Sequence, residues 1–350
     1  MYIRDFKEPP QSLISDRKAE FGTYAGVSSK IDIKGMFAPY AGIPAPQIIS
    51  NLRIKGRLSY VFSTDAYIGK ASFIDFKLIG LAEIIFWSRE SGKKYVYRMV
   101  MPPRRRFIPT LTTRGICASY RKSRFLKISW GRVHQHHALT FKMKGDGARP
   151  DAEGYFYSPM SDDMHCDVMS VCPSPASSRC SATWLASMSI SGHIALSREK
   201  TDDSEGLALM YLNRTYFKLH SKTTMIYGLG SAGERKIVFL IKTSNMDAAD
   251  CDTYNDNTLF VNGTPTALPP VYITHPFGLD DKWIIQDTEN MIDLMFMPAS
   301  RHSKTLNLVA LRTSDDNIFG HFDGVLLTKD GEKITLKGFP GIIHKNLLRL

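Results

Sequence analysis

Hydrophobic and polar residues alternate with a period of two through most of the chain, and apolar positions recurring every three to four residues are rare. That pattern predicts strands. Ile84 to Trp87 leads through Ser91-Gly92 into Tyr95 to Met101, which reads as strand, turn and strand. Lys236 to Thr243, Ile292 to Met297 and Leu306 to Leu311 are apolar runs too short for typical helices. Two further hairpins carry their own turn signals. Phe319 to Thr328 and Lys333 to Lys337 flank Asp330-Gly331, while Thr258 to Val261 and Thr264 to Leu268 flank Asn262-Gly263. Asp-Gly and Asn-Gly tolerate the positive backbone angles of a two-residue turn. Leu207 to His220 suits a helix as well as a strand. Between Gly145 and Ser181 the periodicity disappears in a crowd of Gly, Pro, Ser and Asp, a composition expected of a connection between two β domains. The expected architecture is all-β, with two antiparallel barrels or sandwiches packed together. Residues 1–46 read as an amino-terminal extension, 47–178 as a first β domain with the loop, and 179–350 as a second β domain.

At 350 residues, with 43% hydrophobic and 23% charged positions, the chain has the composition of a globular protein. The longest apolar stretch, Leu78 to Trp87, is interrupted by Glu83 and is too short to span a bilayer. The opening MYIRDFKEPPQS lacks the apolar centre of a secretory signal, so the expected location is cytoplasmic. Cys117, Cys166, Cys172, Cys180 and Cys251 are then expected as reduced thiols.

Charge changes the picture locally. The net charge is +11, and the segment from Arg98 to Lys144 carries 12 basic residues with no acid between them, leaving the rest of the chain near neutrality. Arg104, Arg105, Arg106, Arg121, Lys122 and Arg124 are the candidate anion-binding residues of this segment. An anionic head group or surface suits them, with nucleic acid as the weaker partner; the alternative is a solvated charged face.

Other clusters carry less chemistry. His134 and His136 would share one side of a strand as two zinc ligands can, and His137 follows, but no third ligand is placed and Arg132 and Lys142 oppose a divalent cation. His165, Cys166, Cys172 and Cys180 contain no Cys-x-x-Cys pair. Gly228, Gly230 and Gly233 have the spacing of a dinucleotide loop, yet the strand-like KIVFLIKT follows where a helix is required. Neither a metal nor a cofactor is expected.

The segments NDNTLFVNG, KWIIQDTENMIDLMFMP and FGHFDGVLLTKDGEKI, with FGTYAGVSSKIDIKGMFAPYAG and NLRIKGRLSYVF upstream, resemble the bacterial family catalogued as domain of unknown function 2804. The chain departs from that family at Gly56 and Arg57 beside the retained Lys55, at Asn262, and before Arg214. The family is similar to a two-barrel, lipocalin-like group that includes carotenoid hydratases and tocopherol cyclase. The resemblance therefore implies two lipocalin-like barrels and an apolar ligand. Arg214, Asp256 and Asn257 lie at polar positions of the resembling segments, where polar groups would orient a ligand in an apolar cavity.

The leading expectation is binding of an apolar or amphipathic small molecule, of lipid or isoprenoid type, inside a β-barrel. The alternative is a hydratase, cyclase or isomerase acting on such a ligand through a buried acid, with Asp256 and Asp293 as the first residues to test. The residues do not decide between binding and catalysis. A third reading, a nucleic-acid or phosphoinositide module, rests on the basic segment alone.

Overall fold

The computed structural model describes residues 2–37, 39, 46–77, 79–102, 107–131, 135–147, 149–197, 201–308 and 311–349. Strands dominate it, and the helix Gln47–Leu52 is short. Two large sheets form among the described residues, one of 13 strands and one of nine. All ladders are antiparallel except the two-residue parallel pairing of Phe6–Lys7 with Gly22–Ala25.

The first sheet curls into a nearly closed barrel. Its edge strands, Lys94–Met101 and Arg114–Arg121, meet through side chains: Ser119 Oγ donates to Met99 Sδ at 3.4 Å and Arg121 Nη2 to the Val100 carbonyl at 2.5 Å. Period two explains the filling, because alternate residues of every strand point inward. Tyr60, Phe62, Phe73, Phe86, Tyr97, Phe141 and Trp184 meet in one buried interior. Leu13, Ile31 and Ile33 of the amino-terminal segment are buried in that same interior, so the segment expected as an extension is part of the domain.

The second sheet is a half-barrel with its own core, which includes Phe239, Trp283, Phe296 and Phe322. The two sheets pack through outward faces. Val61, Ile85, Trp87 and Leu209 of the first meet Tyr227, Leu240, Phe319 and Ile342 of the second in a third buried cluster.

The hairpins expected at Ser91-Gly92, Asn262-Gly263 and Asp330-Gly331 all form. Asn262 and Gly263 both adopt positive φ, 47° and 79°, as a two-residue turn of this kind requires. Leu207 to Tyr216 resolves as strand within Ser204–Tyr216, and after the connection Phe217 to Leu219 the strand His220–Ala232 begins. Two expectations are corrected. Gly145 to Ser181 is not a connection: it holds the strands Ala152–Pro159 and Cys166–Pro173, and the inward positions of the first, Ala152, Gly154, Phe156 and Ser158, are mostly too small to show an apolar stripe. The sheets divide between Tyr216 and His220 rather than at 178/179, because Ser204–Tyr216 pairs residue for residue with Ile54–Thr64.

Close sheet packing leaves no room at Gly341. A Cβ there would stand 2.0 Å from a Phe322 ring carbon and 2.6 Å from the Tyr227 carbonyl oxygen. Gly341→Ala is expected to cost about 1–3 kcal/mol of unfolding free energy in urea denaturation. A loss below about 0.5 kcal/mol would show that this face yields more easily than interiors normally do.

Candidate functional site

The barrel interior is filled by its own aromatic side chains. Two adjoining cavities, of about 100 and 70 Å³, lie instead between the two sheets and share Arg57, Ile74, Phe76 and Asn346 in their walls. These cavities lie beside the cluster in which the outer faces of the two sheets meet, with Tyr211 and Met225 common to that cluster and the first cavity.

The first sheet contributes a row of outward residues in direct register. Ser59 faces Ser72, Ser72 faces Glu83, and Glu83 faces Arg98 across four neighbouring strands. Lys70 lies one outward step along its strand from Ser72 and is 2% exposed. The second sheet supplies a square of polar residues, since Asp315 pairs with Asn346 and Asn317 with His344 on adjacent strands. Packing the faces together joins them: Lys70 Nζ donates to Asn317 Oδ1 at 2.5 Å.

Within the square, Asp315 is saturated. Its Oδ1 accepts from Asn317 Nδ2 at 2.8 Å, and its Oδ2 accepts from Asn346 Nδ2 at 3.1 Å and from His344 Nε2 at 2.9 Å. Burial opposes ionisation of Asp315, but His344, Lys70 and Arg57 outweigh it and hold the carboxyl well below the usual range. An ionised carboxylate only accepts, so His344 carries its proton on Nε2 and presents the Nδ1 lone pair to Arg57 Nη1, 3.4 Å away. Burial, reinforced by Lys70, lowers the His344 pKa to about 4, leaving a neutral imidazole at pH 7. Burial likewise lowers Lys70 to about 8. Glu83 moves the other way: burial and then Asp315 raise it, against the ion pair with Arg98. The site thus sets an acid of raised proton affinity and a neutral base around one small cavity.

The residues singled out in the sequence fall elsewhere. Arg214 is buried on the inward side of its strand, where Nη2 donates to the carbonyls of Ile108 at 2.6 Å and Pro109 at 3.2 Å and closes one end of the barrel. Asn257 is a backbone clamp, accepting from the Lys242 amide at 2.7 Å and donating to the Pro269 carbonyl at 2.8 Å. Asp256 is buried as a catalytic acid would be, but it is ion-paired with Lys242 and accepts from Ser170. Burial alone would raise its pKa; Lys242 and these hydrogen bonds lower it overall, so it does not meet the requirement of a neutral carboxyl group. Asp293 is exposed and accepts from Gln286 Nε2 at 2.9 Å on the outer surface, away from any enclosed acid position.

Arg104, Arg105 and Arg106 lie outside the described residues. Arg121, Lys122 and Arg124 line a cavity of about 700 Å³ at one end of the barrel that also reaches the core residues Met143 and Ala152, and protein groups occupy two of the three: Arg121 binds the Val100 carbonyl, and Arg124 binds the Lys144 and Arg98 carbonyls. His134 is also outside the described residues, and His137 lies buried beside Trp184 and His165. Gly228 and Gly230 sit within the strand His220–Ala232, with Gly233 in the turn after it. Among the described residues no helix is long and apolar enough to cross a membrane.

Glu83, Lys70, Asp315 and His344 were not singled out from sequence. A signal existed for two of them. Glu83 breaks the apolar run Leu78 to Trp87, and Lys70 stands in YIGKASFID where flanking strand residues are apolar or small.

The profile of the family described as "Domain of unknown function (DUF2804)" matches residues 44–349. No curated protein matches the chain. Among solved structures, CghA is similar at 11% identity over 92% of this chain and 97% of that one, with a TM-score of 0.47. CghA with Sch210972 gives 11% identity over 97% of each chain and a TM-score of 0.48. Kievitone hydratase from Nectria haematococca gives 10% identity over 83% of this chain and 88% of that one, with a TM-score of 0.43.

Proposed function

We propose that this chain, which belongs to the DUF2804 family, binds an amphipathic small molecule between its two sheets and converts it by acid–base catalysis, as a hydratase, cyclase or isomerase does. One observation carries the reading: groups whose proton affinities are displaced in opposite senses converge on the walls of a single small cavity. In this reading Glu83 delivers a proton to an alkene or enol carbon of the ligand. His344 Nδ1, held in its tautomer by Asp315, takes the proton from water or from a neighbouring carbon. Arg57 moves off Nδ1 when the ligand enters, because its 3.4 Å contact is the loosest in the group. The rooms are smaller than the roughly 300–1,000 Å³ of typical ligand pockets, which suits a head group or single ring with the rest of the ligand leading outward.

The test is conversion followed by mass spectrometry in water enriched in heavy oxygen, using panels of unsaturated and enolisable small molecules. The expected result is gain of labelled water, or an isobaric product, with wild-type protein. Glu83→Gln and His344→Ala should each slow it by about 100-fold or more while keeping the native circular dichroism spectrum. Unchanged turnover in both variants would remove these residues from the chemistry. A ligand held and released unaltered by the wild-type protein would leave a binding protein and overturn catalysis.

A further inference from the structure

The charges of the cleft do not balance. Glu83 is ion-paired with Arg98, Asp256 and Asp247 share Lys242, and Asp315 is hydrogen-bonded by His344, Asn317 and Asn346 with Lys70 as a nearby positive charge. Lys55 and Arg57 remain, two positions apart on the same outward face of the strand Ile54–Thr64 and both lining the larger cavity. Arg57 Nη1 reaches only the Met225 sulfur at 3.7 Å and His344 Nδ1 at 3.4 Å. The Lys55 ammonium sits over the rings of Phe217 at 4.5 Å and Phe76 at 5.1 Å. Neither cation has a carboxylate within ion-pair distance among the described residues. Asp75, the acid that acts on Lys55, is itself bonded to Lys77 at 2.6 Å. Arg57 meets the Asp315 charge only through His344, and Lys55 meets the Asp75 charge only at a distance; holding two partly buried cations without a directly paired carboxylate is costly, and a bound anion relieves that cost.

We infer that Lys55 and Arg57 form the head-group subsite for a ligand carboxylate, with Phe76 and Phe217 packing the apolar frame next to it. This deepens the functional reading above and rests on it. A planar guanidinium matches the two oxygens of a carboxylate, and the adjoining ammonium adds a point charge on a second side. Lys304 lines the neighbouring cavity and keeps the surrounding potential positive. Placed here, the carboxylate sets the rest of a ligand toward the cavity of Glu83 and His344, because Arg57 belongs to the walls of both.

The experiment compares cinnamate, benzoate and dodecanoate with their uncharged amides by isothermal titration calorimetry on the full chain. At least one carboxylate should bind about tenfold or more tightly than its amide, since a charge-assisted hydrogen bond is lost in the amide. Arg57→Met should erase that preference, Arg57→Lys should keep part of it, and Lys55→Met should reduce it, each with a native melting transition. Equal binding of acid and amide would overturn the subsite and leave the cleft reading standing. Binding of neither class would sink both. Inorganic phosphate should not displace the carboxylate; displacement would reassign the subsite to a phosphorylated ligand and overturn the carboxylate assignment.

Discussion

Asp256→Ala is expected to lose about 3–5 kcal/mol of unfolding free energy at neutral pH, because it strands the Lys242 ammonium between the sheets. The Asp256 side chain is 1% exposed and its carboxylate receives Lys242 Nζ and Ser170 Oγ. Asp247, 3.7 Å from Lys242, is the remaining counter-charge, so the lower part of that range is the expectation. Burial disfavours the charged forms of both partners. Asp256 and Asp247 nevertheless raise Lys242 well above its ordinary value, and Lys242 and Ser170 pull Asp256 below its own. The signs follow from linkage. The depressed carboxyl stabilises the fold above the unfolded value of about 4, and that contribution is lost as pH falls through the lower folded value. The raised lysine contributes fully below its unfolded value of about 10.4 and loses its contribution as pH rises through the folded one. The deficit of Asp256→Ala in urea should therefore be largest near neutrality and shrink below about pH 4. Replacing both partners, as Lys242→Met with Asp256→Leu, should recover much of the loss, since removing a whole buried pair is far cheaper than removing half of it. An alanine variant as stable as wild type at pH 7 would mean that the pair contributes nothing to the fold.

Acidification from pH 6.5 to 4 should destabilise the protein steeply, and His137→Phe should flatten that slope by close to one proton. His137 is fully buried, neither ring nitrogen has a hydrogen-bond partner among the described residues, and burial lowers its pKa to about 3. His344, at about 4, adds a second such group. An unfolded histidine titrates near 6.5, so below that pH the unfolded chain binds two protons the native state refuses. Stability then falls through the window and levels off once the folded values are passed. At about 1.36 kcal/mol per unit, the two histidines are worth on the order of 3–5 kcal/mol each across their windows. Glu83 acts in the opposite sense, taking a proton in the native state before the unfolded chain does, and recovers part of the loss. Urea denaturation at half-unit pH steps reads the net slope. A flat profile between pH 6.5 and 4.5, or an unchanged slope in His137→Phe, would contradict the burial argument.

Both predictions concern groups whose environment no local pattern reveals. His137 was visible only as one of three clustered histidines, and Lys242 as a polar break in KIVFLIKT. Asp256 drew attention through a family resemblance, which put it near a ligand; its partners Lys242 and Ser170 lie on two other strands and make it half of an ion pair. Arg214 was likewise read as a ligand group, and the carbonyls of Ile108 and Pro109 make it a clasp instead. An outward polar residue on a strand reads the same in sequence whether water or another sheet faces it, so Glu83, Lys70 and Asp315 looked like ordinary polar positions.

What the chain determined by itself was everything carried by short-range order. Alternation of apolar and polar residues set the strands and their inward faces, and Asn262-Gly263 and Asp330-Gly331 set the hairpins, because φ preferences and a period of two act over a few neighbouring residues. What only the tertiary structure decided was which faces meet. Ile54–Thr64 pairs with Ser204–Tyr216 although Thr64 and Gly206, the partners nearest in sequence, are 142 residues apart, and Lys70 bonds Asn317 across 247. Such contacts are selected by the closure and packing of whole sheets, whose free energy is not resident in any one segment. The cleft, its unmatched cations and its divided proton affinities therefore exist only once the two outer faces are brought together.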